Sequence, residues 1–390
     1  MPFCCEKNER MCHNGYNWIK KKGGGVGLLV EKAFRYRIYP NVEQQTRIEQ
    51  MFGCCRFVFN HFLSQWNDAY AATGKGLSYY ACATQLPLLK QTREWLKVVD
   101  SIALQSAVRR LADSFDRFFK KQNQAPRFKT RKHPVQSYTT KFTNGNIAVI
   151  GNCLKLPKLG LVRFAKSREP GGRILSATIR RQATGKYFIS LVCKVEVHPL
   201  PPSNTAIGID LGLTSFAVTS EGQSFDHPRA FKQHEEKLAL WQRRLSRRTP
   251  GGANYQKAKR KVARIHDKIA NIRNHFLHQL STQLIRENQA ISIEDLSISS
   301  MLQNRKLAKS INDASWGEFV RQLTYKALWY GRTLKKADTY APTSQRCHVC
   351  GEIDKAVKNL SVRTWQCRSC DAVHDRDENA AKNILLLTIE

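Results

Sequence analysis

Acids at the ends of apolar strands constrain this chain more than any other feature. Asp210 closes the run Ala206-Ile207-Gly208-Ile209 and is followed by Leu211-Gly212. An ionised carboxylate in a buried strand is costly unless something pairs it, and a divalent cation does so. Glu294 closes a second such run, Ile291-Ser292-Ile293. Asp377 lies in His374-Asp375-Arg376-Asp377-Glu378-Asn379-Ala380-Ala381, at the predicted start of the last helix. Each acid alone reads more simply as a cap, a turn or a salt bridge. Together they predict a metal centre. Hard oxygen ligands suit two Mg²⁺ ions about 4 Å apart, one activating water and the other stabilising a leaving oxygen, the arrangement that hydrolyses phosphodiesters. Asp295 falls on the opposite face of its strand and reads as structural. Asp375 is open between helix cap and ligand, with Asp377 the favoured ligand.

The order strand-Asp, further strands, helices, strand-Glu, helices and helix-Asp matches the RNase H-like fold, whose sheet gathers such positions at one end. Charge points to the same chemistry. Lys and Arg total 64 against 31 acids, a formal +33 with pI near 10. Surplus charge of one sign self-repels, and a folded chain carrying it is expected to bind a polyanion. No apolar run approaches a spanning helix, which weakens the rival reading of an anionic membrane.

The 390 residues suit several modules. Residues 1–30 read as a poorly ordered extension, and their start codon as over-called. Phe34, Tyr36 and Ile38 alternate with Arg35 and Arg37, predicting a half-buried strand that Pro40 ends. Asn41 and Gln44 form a capping box for a first helix. Gly53 punctuates it, and a second helix is expected from about Arg56 to Ala72. Val108, Leu111, Phe115 and Phe118 mark one face of another. Residues 41–122 are therefore expected to be a helical domain inserted into a β-barrel-like domain at 31–40 and 123–200, with strands near Ser137–Phe142, Asn146–Ile150, Ile174–Arg180 and Tyr187–Val195. Residues 201–390 read as a mixed α/β nuclease domain. It holds a helical hairpin turning at Thr249-Pro250-Gly251-Gly252, whose second arm is dense in Lys and Arg. Arg127, Lys129, Arg131 and Lys132, in a basic loop, are candidate RNA contacts, and Phe128 is expected to pack.

Cys347, Cys350, Cys367 and Cys370 form CxxC–x16–CxxC, the spacing of a zinc ribbon, here expected at 341–374. A redox CxxC would not be duplicated. His348 and His374 read as bystanders. The ribbon sits between the second and third acids, so its folding is expected to help place the helix carrying Asp377. The other cysteines show no pairing logic, which fits a reducing cytoplasm.

These residues together resemble the TnpB (OrfB) family, transposon-encoded relatives of the CRISPR type V effectors. The resemblance covers about residues 32–390. It is carried by Lys32–Pro40, Phe52-Gly53, Arg56–Asn60, Leu154–Lys158, Gly208–Gly212, Ile293–Leu296, Trp316–Phe319, the four cysteines and Asp375–Ala381. It implies an RNA-guided DNA endonuclease: a wedge domain with an inserted helical recognition domain grips a guide RNA, and a RuvC domain with a zinc ribbon cuts both strands of a DNA duplex. Base pairing would choose the sequence, while the protein checks a short adjacent motif. Tyr79, Gln105 and Thr143 look like the polar positions the family uses around that duplex. A single protein copy per ribonucleoprotein is expected. A DNA-binding regulator that has lost cutting would lack a carboxylate, and all three are present. A transposase joining DNA ends would want a tyrosine nucleophile, and no arrangement identifies one.

Overall fold

The computed structural model describes residues 10–13, 16–20, 26–359 and 361–389. They form two compact units, one of Leu29–Glu196, the other of Met1–Leu28 with Val197–Glu390. The extension expected at 1–30 lies partly outside the described residues. Within them, β1 (Arg10–His13) pairs antiparallel with β2 (Tyr16–Lys20), and β3 runs from Val26 to Tyr39. Leu28 and Val30 are buried. The boundary expected at residue 31 therefore falls inside a strand.

In the unit Leu29–Glu196, Asn41 caps α1 (Val42–Thr73) with the full capping box: Gln44 N donates to Asn41 Oδ1 at 2.8 Å, and Asn41 N donates to Gln44 Oε1 at 3.1 Å. The expected break at Gly53 does not occur, and α1 is one helix. A glycine inside a helix costs only about 1 kcal/mol, and burial of Phe52, Cys54, Cys55, Val58, Phe59 and Phe62 around it outweighs that. Next come α2 (Tyr79–Thr92) and α3 (Ser101–Phe119), the latter capped by Asp100. Val108, Leu111 and Phe115 are buried as expected, but Phe118 is exposed. It lies in the last turn, and the face it would continue is already closed by Trp66, stacked 3.8 Å from Phe115.

The strands β4 (Gln136–Lys141), β5 (Ala148–Ile150), β6 (Cys153–Leu156), β7 (Gly160–Phe164), β8 (Arg173–Arg181) and β9 (Tyr187–Val197) join β3 in the order β4-β8-β9-β3-β7-β6-β5. Among the described residues this path ends at β4 and β5, with β2 and β1 joined to β3 off it, and is not closed into a ring by hydrogen bonds. Helices and sheet share one core, in which Tyr36, Phe52, Tyr138 and Leu191 are buried together.

The other unit is built on β10 (Ala206–Asp210), β11 (Ser215–Thr219), β12 (Ser224–Asp226), β13 (Ala290–Glu294) and β14 (Thr333–Ala337), ordered β12-β11-β10-β13-β14. The first three pair antiparallel, while β10/β13 and β13/β14 are parallel. Between strands run the hairpin arms α4 (Glu235–Ser246) and α5 (Ala253–Glu287), then α6 (Ile298–Met301), α7 (Ala308–Ala314) and α8 (Trp316–Tyr330). Two short strands, β15 (Thr364–Gln366) and β16 (Val373–Asp375), precede the last helix, α9 (Arg376–Ile389).

Alternation along the strand sorts the faces of this sheet. Ile207 and Ile209 join a core with Leu280, Leu284, Phe319 and Leu323 of α5 and α8. Gly208 faces α9, and a Cβ added there would lie 2.0 Å from Ala381 O. Only glycine permits that approach. Asp210, two residues further, shares the Gly208 face.

Candidate active site and cysteine cluster

The parallel register from Ala206↔Ala290 to Ile209↔Ile293 runs on to set Asp210 beside Glu294 at the ends of their strands. Ala381 is seated over Gly208, which brings Asp377, one helical turn earlier on α9, to the same edge. Electrostatics register this convergence. Burial drives the Asp210 carboxyl well above its ordinary range, the charges of Glu294 and Asp377 push it further, and Arg376 and Arg363 partly offset the rise. Burial also raises Glu294, opposed by Thr343, whose Oγ1 donates to Glu294 Oε1 at 2.9 Å. Arg363 donates from Nη1 to both Asp377 oxygens, at 3.2 and 3.3 Å, and from Nη2 to Thr214 Oγ1 at 3.1 Å. Asp210 and Glu294 are held beside Asp377 against a burial penalty, so their ionised state needs positive charge, and such hard oxygens fit Mg²⁺.

Asp375 has another task. Its Oδ1 accepts from Asp377 N and Glu378 N, both at 3.0 Å, so it caps α9. Asp295 is largely exposed and pairs with Lys336 Nζ at 2.7 Å.

The four cysteine sulfurs all lie within 4.8 Å of one another. Among the described residues this is the one set of three or more Cys, His, Asp or Glu to converge so closely. Cys347 Sγ is 3.6 Å from Cys370 Sγ, and Cys350 Sγ is 3.5 Å from Cys367 Sγ. A tetrahedron with Zn–S bonds of about 2.3 Å has edges of roughly 3.8 Å, close to these separations, whereas a disulfide needs about 2.05 Å. Both knuckles turn alike: Gly351 N donates to Cys347 O and Asp371 N to Cys367 O, with φ of 82° and 55°. Sequence reasoning set His374 aside, yet it is buried with Nε2 3.1 Å from Cys347 Sγ.

Sequence reasoning also missed the join between this cluster and α9. Asn379 and Asn383 are both buried. Their Nδ2 atoms donate to Arg346 O at 2.8 and 2.6 Å, and Asn383 Nδ2 also donates to Thr343 O at 2.8 Å. His348 N donates to Asn379 Oδ1 at 3.1 Å. Two asparagines four residues apart beside Ala380, Ala381 and Ile384 were the available signal, being polar groups on an apolar helix face.

The expected nucleic-acid contacts are mixed. Arg127, Arg131 and Lys132 are exposed, but Lys129 is half-buried, its backbone clamped by Asn60 at 2.8 and 2.9 Å. Phe128 does not pack as expected: it is 57% exposed. Tyr79 stacks against the Arg109 guanidinium at 5.0 Å, one turn along α3 from the exposed Gln105. Thr143 is exposed in the turn after β4, where its N–H donates to Asn146 Oδ1. No described helix is long and apolar enough to cross a membrane.

Three family patterns match the chain. One described as "Probable transposase", of the OrfB type, covers residues 190–305; a Cas12f1-like TNB domain covers 316–384; a helix-turn-helix domain covers 30–75, where this structure has β3 and the unbroken α1. Two similar proteins are named "Putative RNA-guided DNA endonuclease". The one from Streptomyces pristinaespiralis is 40% identical, covering 91% of this chain and 89% of its own length. The other, InsQ of Escherichia coli K12, is 35% identical and covers 91% of each. Among solved structures, Cas12f1 in a complex with sgRNA and target DNA shares the fold at TM-score 0.56 and 12% identity, over 91% of this chain and 98% of that one. The chain belongs to the TnpB (OrfB) family.

Proposed function

We propose that this chain is an RNA-guided DNA endonuclease whose cutting centre is Asp210, Glu294 and Asp377 on an RNase H-like RuvC domain. The observation that carries the reading is the convergence of those carboxylates at one sheet edge, in the strand order β12-β11-β10-β13-β14 with one antiparallel side. Two Mg²⁺ ions held by the three acids would supply water activation and leaving-oxygen stabilisation. Asp210 and Glu294 offer rigid oxygens from strand ends, and Asp377 offers a third from the capped first turn of α9. Thr343 orients Glu294, and Arg363 balances charge beside Asp377. The four cysteines hold a structural Zn²⁺, which fixes the loop that grips α9.

The surplus of Lys and Arg supports a bound polyanion, and the names of the relatives supply its kind, a guide RNA with a DNA target. We assign the wedge to the strands of the unit Leu29–Glu196 and the recognition module to its helices. Arg127, Arg131 and Lys132 serve as RNA contacts, while Tyr79, Gln105 and Thr143 lie against the motif-bearing duplex. Purifying the full chain, sequencing the RNA that accompanies it and adding duplex DNA matching that RNA with Mg²⁺ tests the reading. Cutting confined to matched DNA is expected. Absence of bound RNA, or cutting that ignores it, would overturn the proposal.

A further inference from the structure

A cavity of about 320 Å³ opens within the unit Leu29–Glu196, between α1, α3, the loop before β4 and β4 itself. Its lining includes three basic side chains, Arg56, Arg110 and Lys129, and no acid. Asp100 accepts from Thr140 Oγ1 and caps α3, and Asp113, whose charge also acts on Arg110, pairs with Arg109 at 3.2 Å. Arg110 donates to Thr139 Oγ1 at 2.5 Å, and Arg56 to Gln136 Oε1 at 3.3 Å, both neutral partners. The Lys129 ammonium rests 3.4 Å from the centroid of Phe59. Burial and the neighbouring Arg110 push this amine down to about 7, so its charge is poorly compensated by the protein itself. Ser106 Oγ is buried in the lining without a hydrogen-bond partner. At the rim, Phe128 exposes its ring.

Basic side chains with no acid in the lining, an unused hydroxyl and an exposed aromatic ring have one chemistry in common. We propose that this cavity receives a single unstacked nucleotide of a bound strand, its phosphate against Arg56, Arg110 and Lys129 and its base against Phe128. The volume sits at the lower end of small-ligand pockets, roughly 300–1,000 Å³, enough for one nucleotide and too small for a duplex. Bringing a phosphate in would satisfy the cations and restore the protonated amine of Lys129. Aromatic stacking accepts any base, so the site would read backbone and shape rather than sequence. It is separate from the carboxylate centre and stands whether or not the chain cuts DNA.

The full chain, stripped of co-purified nucleic acid and held in EDTA, provides the test. It would be acylated briefly with an amine-reactive ester alone, with a mixed-sequence single-stranded RNA, or with DNA of the same sequence, and the lysines read by mass spectrometry. Lys129 should react readily in the free protein and be protected by the strand that enters the cavity; RNA-only or DNA-only protection identifies the source. In parallel, Lys129→Met should weaken binding of that strand about tenfold and reduce its salt slope by about 0.7, the value for one phosphate contact on a single strand. Equal Lys129 reactivity with and without both strands would overturn the proposal, as would wild-type affinity of Lys129→Met for both.

Discussion

The two asparagines of α9 give the sharpest test of how the cysteine cluster serves the carboxylate site. Asn379→Ala removes a donor to Arg346 O at 2.8 Å and an acceptor for His348 N at 3.1 Å, in a position only 1% exposed. Arg346 O keeps its bond from Asn383, so the main loss is the partner of the His348 amide. Leaving one such group unpaired costs about 1–3 kcal/mol, and the lost amide packing adds to it, giving roughly 2–4 kcal/mol. That energy is local to the joint between the first knuckle and α9. Denaturant titration of the zinc-loaded chain should therefore show the loss, and hydrogen exchange should quicken at residues 346–348 and through the first turns of α9. Because Asp377 shares the opening turn of α9, misplacement near 1 Å should slow cleavage roughly a hundredfold. Asn383→Ala should cost less at His348, whose bond it does not make. Unchanged midpoint and unchanged exchange in Asn379→Ala would refute the joint.

Other outcomes follow from the same geometry. Asp210 and Glu294 both titrate above their ordinary values, so ionising them opposes folding: the penalty is full above the folded-state pKa and is relieved as pH falls through it toward the ordinary value near 3.8 for Asp210. Thermal melts in EDTA should thus show a component of stability gained on acidification, which Asp210→Asn removes and Mg²⁺ suppresses; a component of opposite sign would contradict the assignment. Chelating zinc should unfold residues 341–374 first, because the hydrophobic cluster with the cysteines is small, built on Val357, Trp365 and Val362 among the described residues; an unchanged melting profile would count against a structural metal. Asp371→Gly should stabilise the second knuckle by about 0.5–1 kcal/mol, since φ of 55° penalises a side chain there. A loss of stability would mean the aspartate side chain has a role beyond the turn.

Much of the molecule was legible where local chemistry decides. The Asn41/Gln44 box, the hairpin turn at Thr249–Gly252 and the alternation of Ile207 and Ile209 each depend on neighbours within one element. The strand-end positions of Asp210 and Glu294 were readable for the same reason. Other features depend on distant partners. β6 and β7 alternate over only three residues each, Leu154-Lys155-Leu156 and Val162-Arg163-Phe164, too briefly to mark a strand, and β14 carries Lys335 and Lys336 side by side. Gly53 looked like punctuation because its compensation comes from core packing. Phe118 continued an apolar helix face and Phe128 was expected to pack from a basic loop, yet both are exposed. Arg363 meets Thr214 across 149 positions, and Asn379 reaches His348 across 31, pairings that only the fold creates.

One measurement bears most directly on the central claim: cleavage of matched duplex DNA by the RNA-loaded chain, compared with Asp210→Ala carrying the same RNA. The variant should retain RNA and target binding but yield no cut product at any Mg²⁺ concentration. Cutting by Asp210→Ala at the wild-type rate would contradict a centre built on Asp210, Glu294 and Asp377.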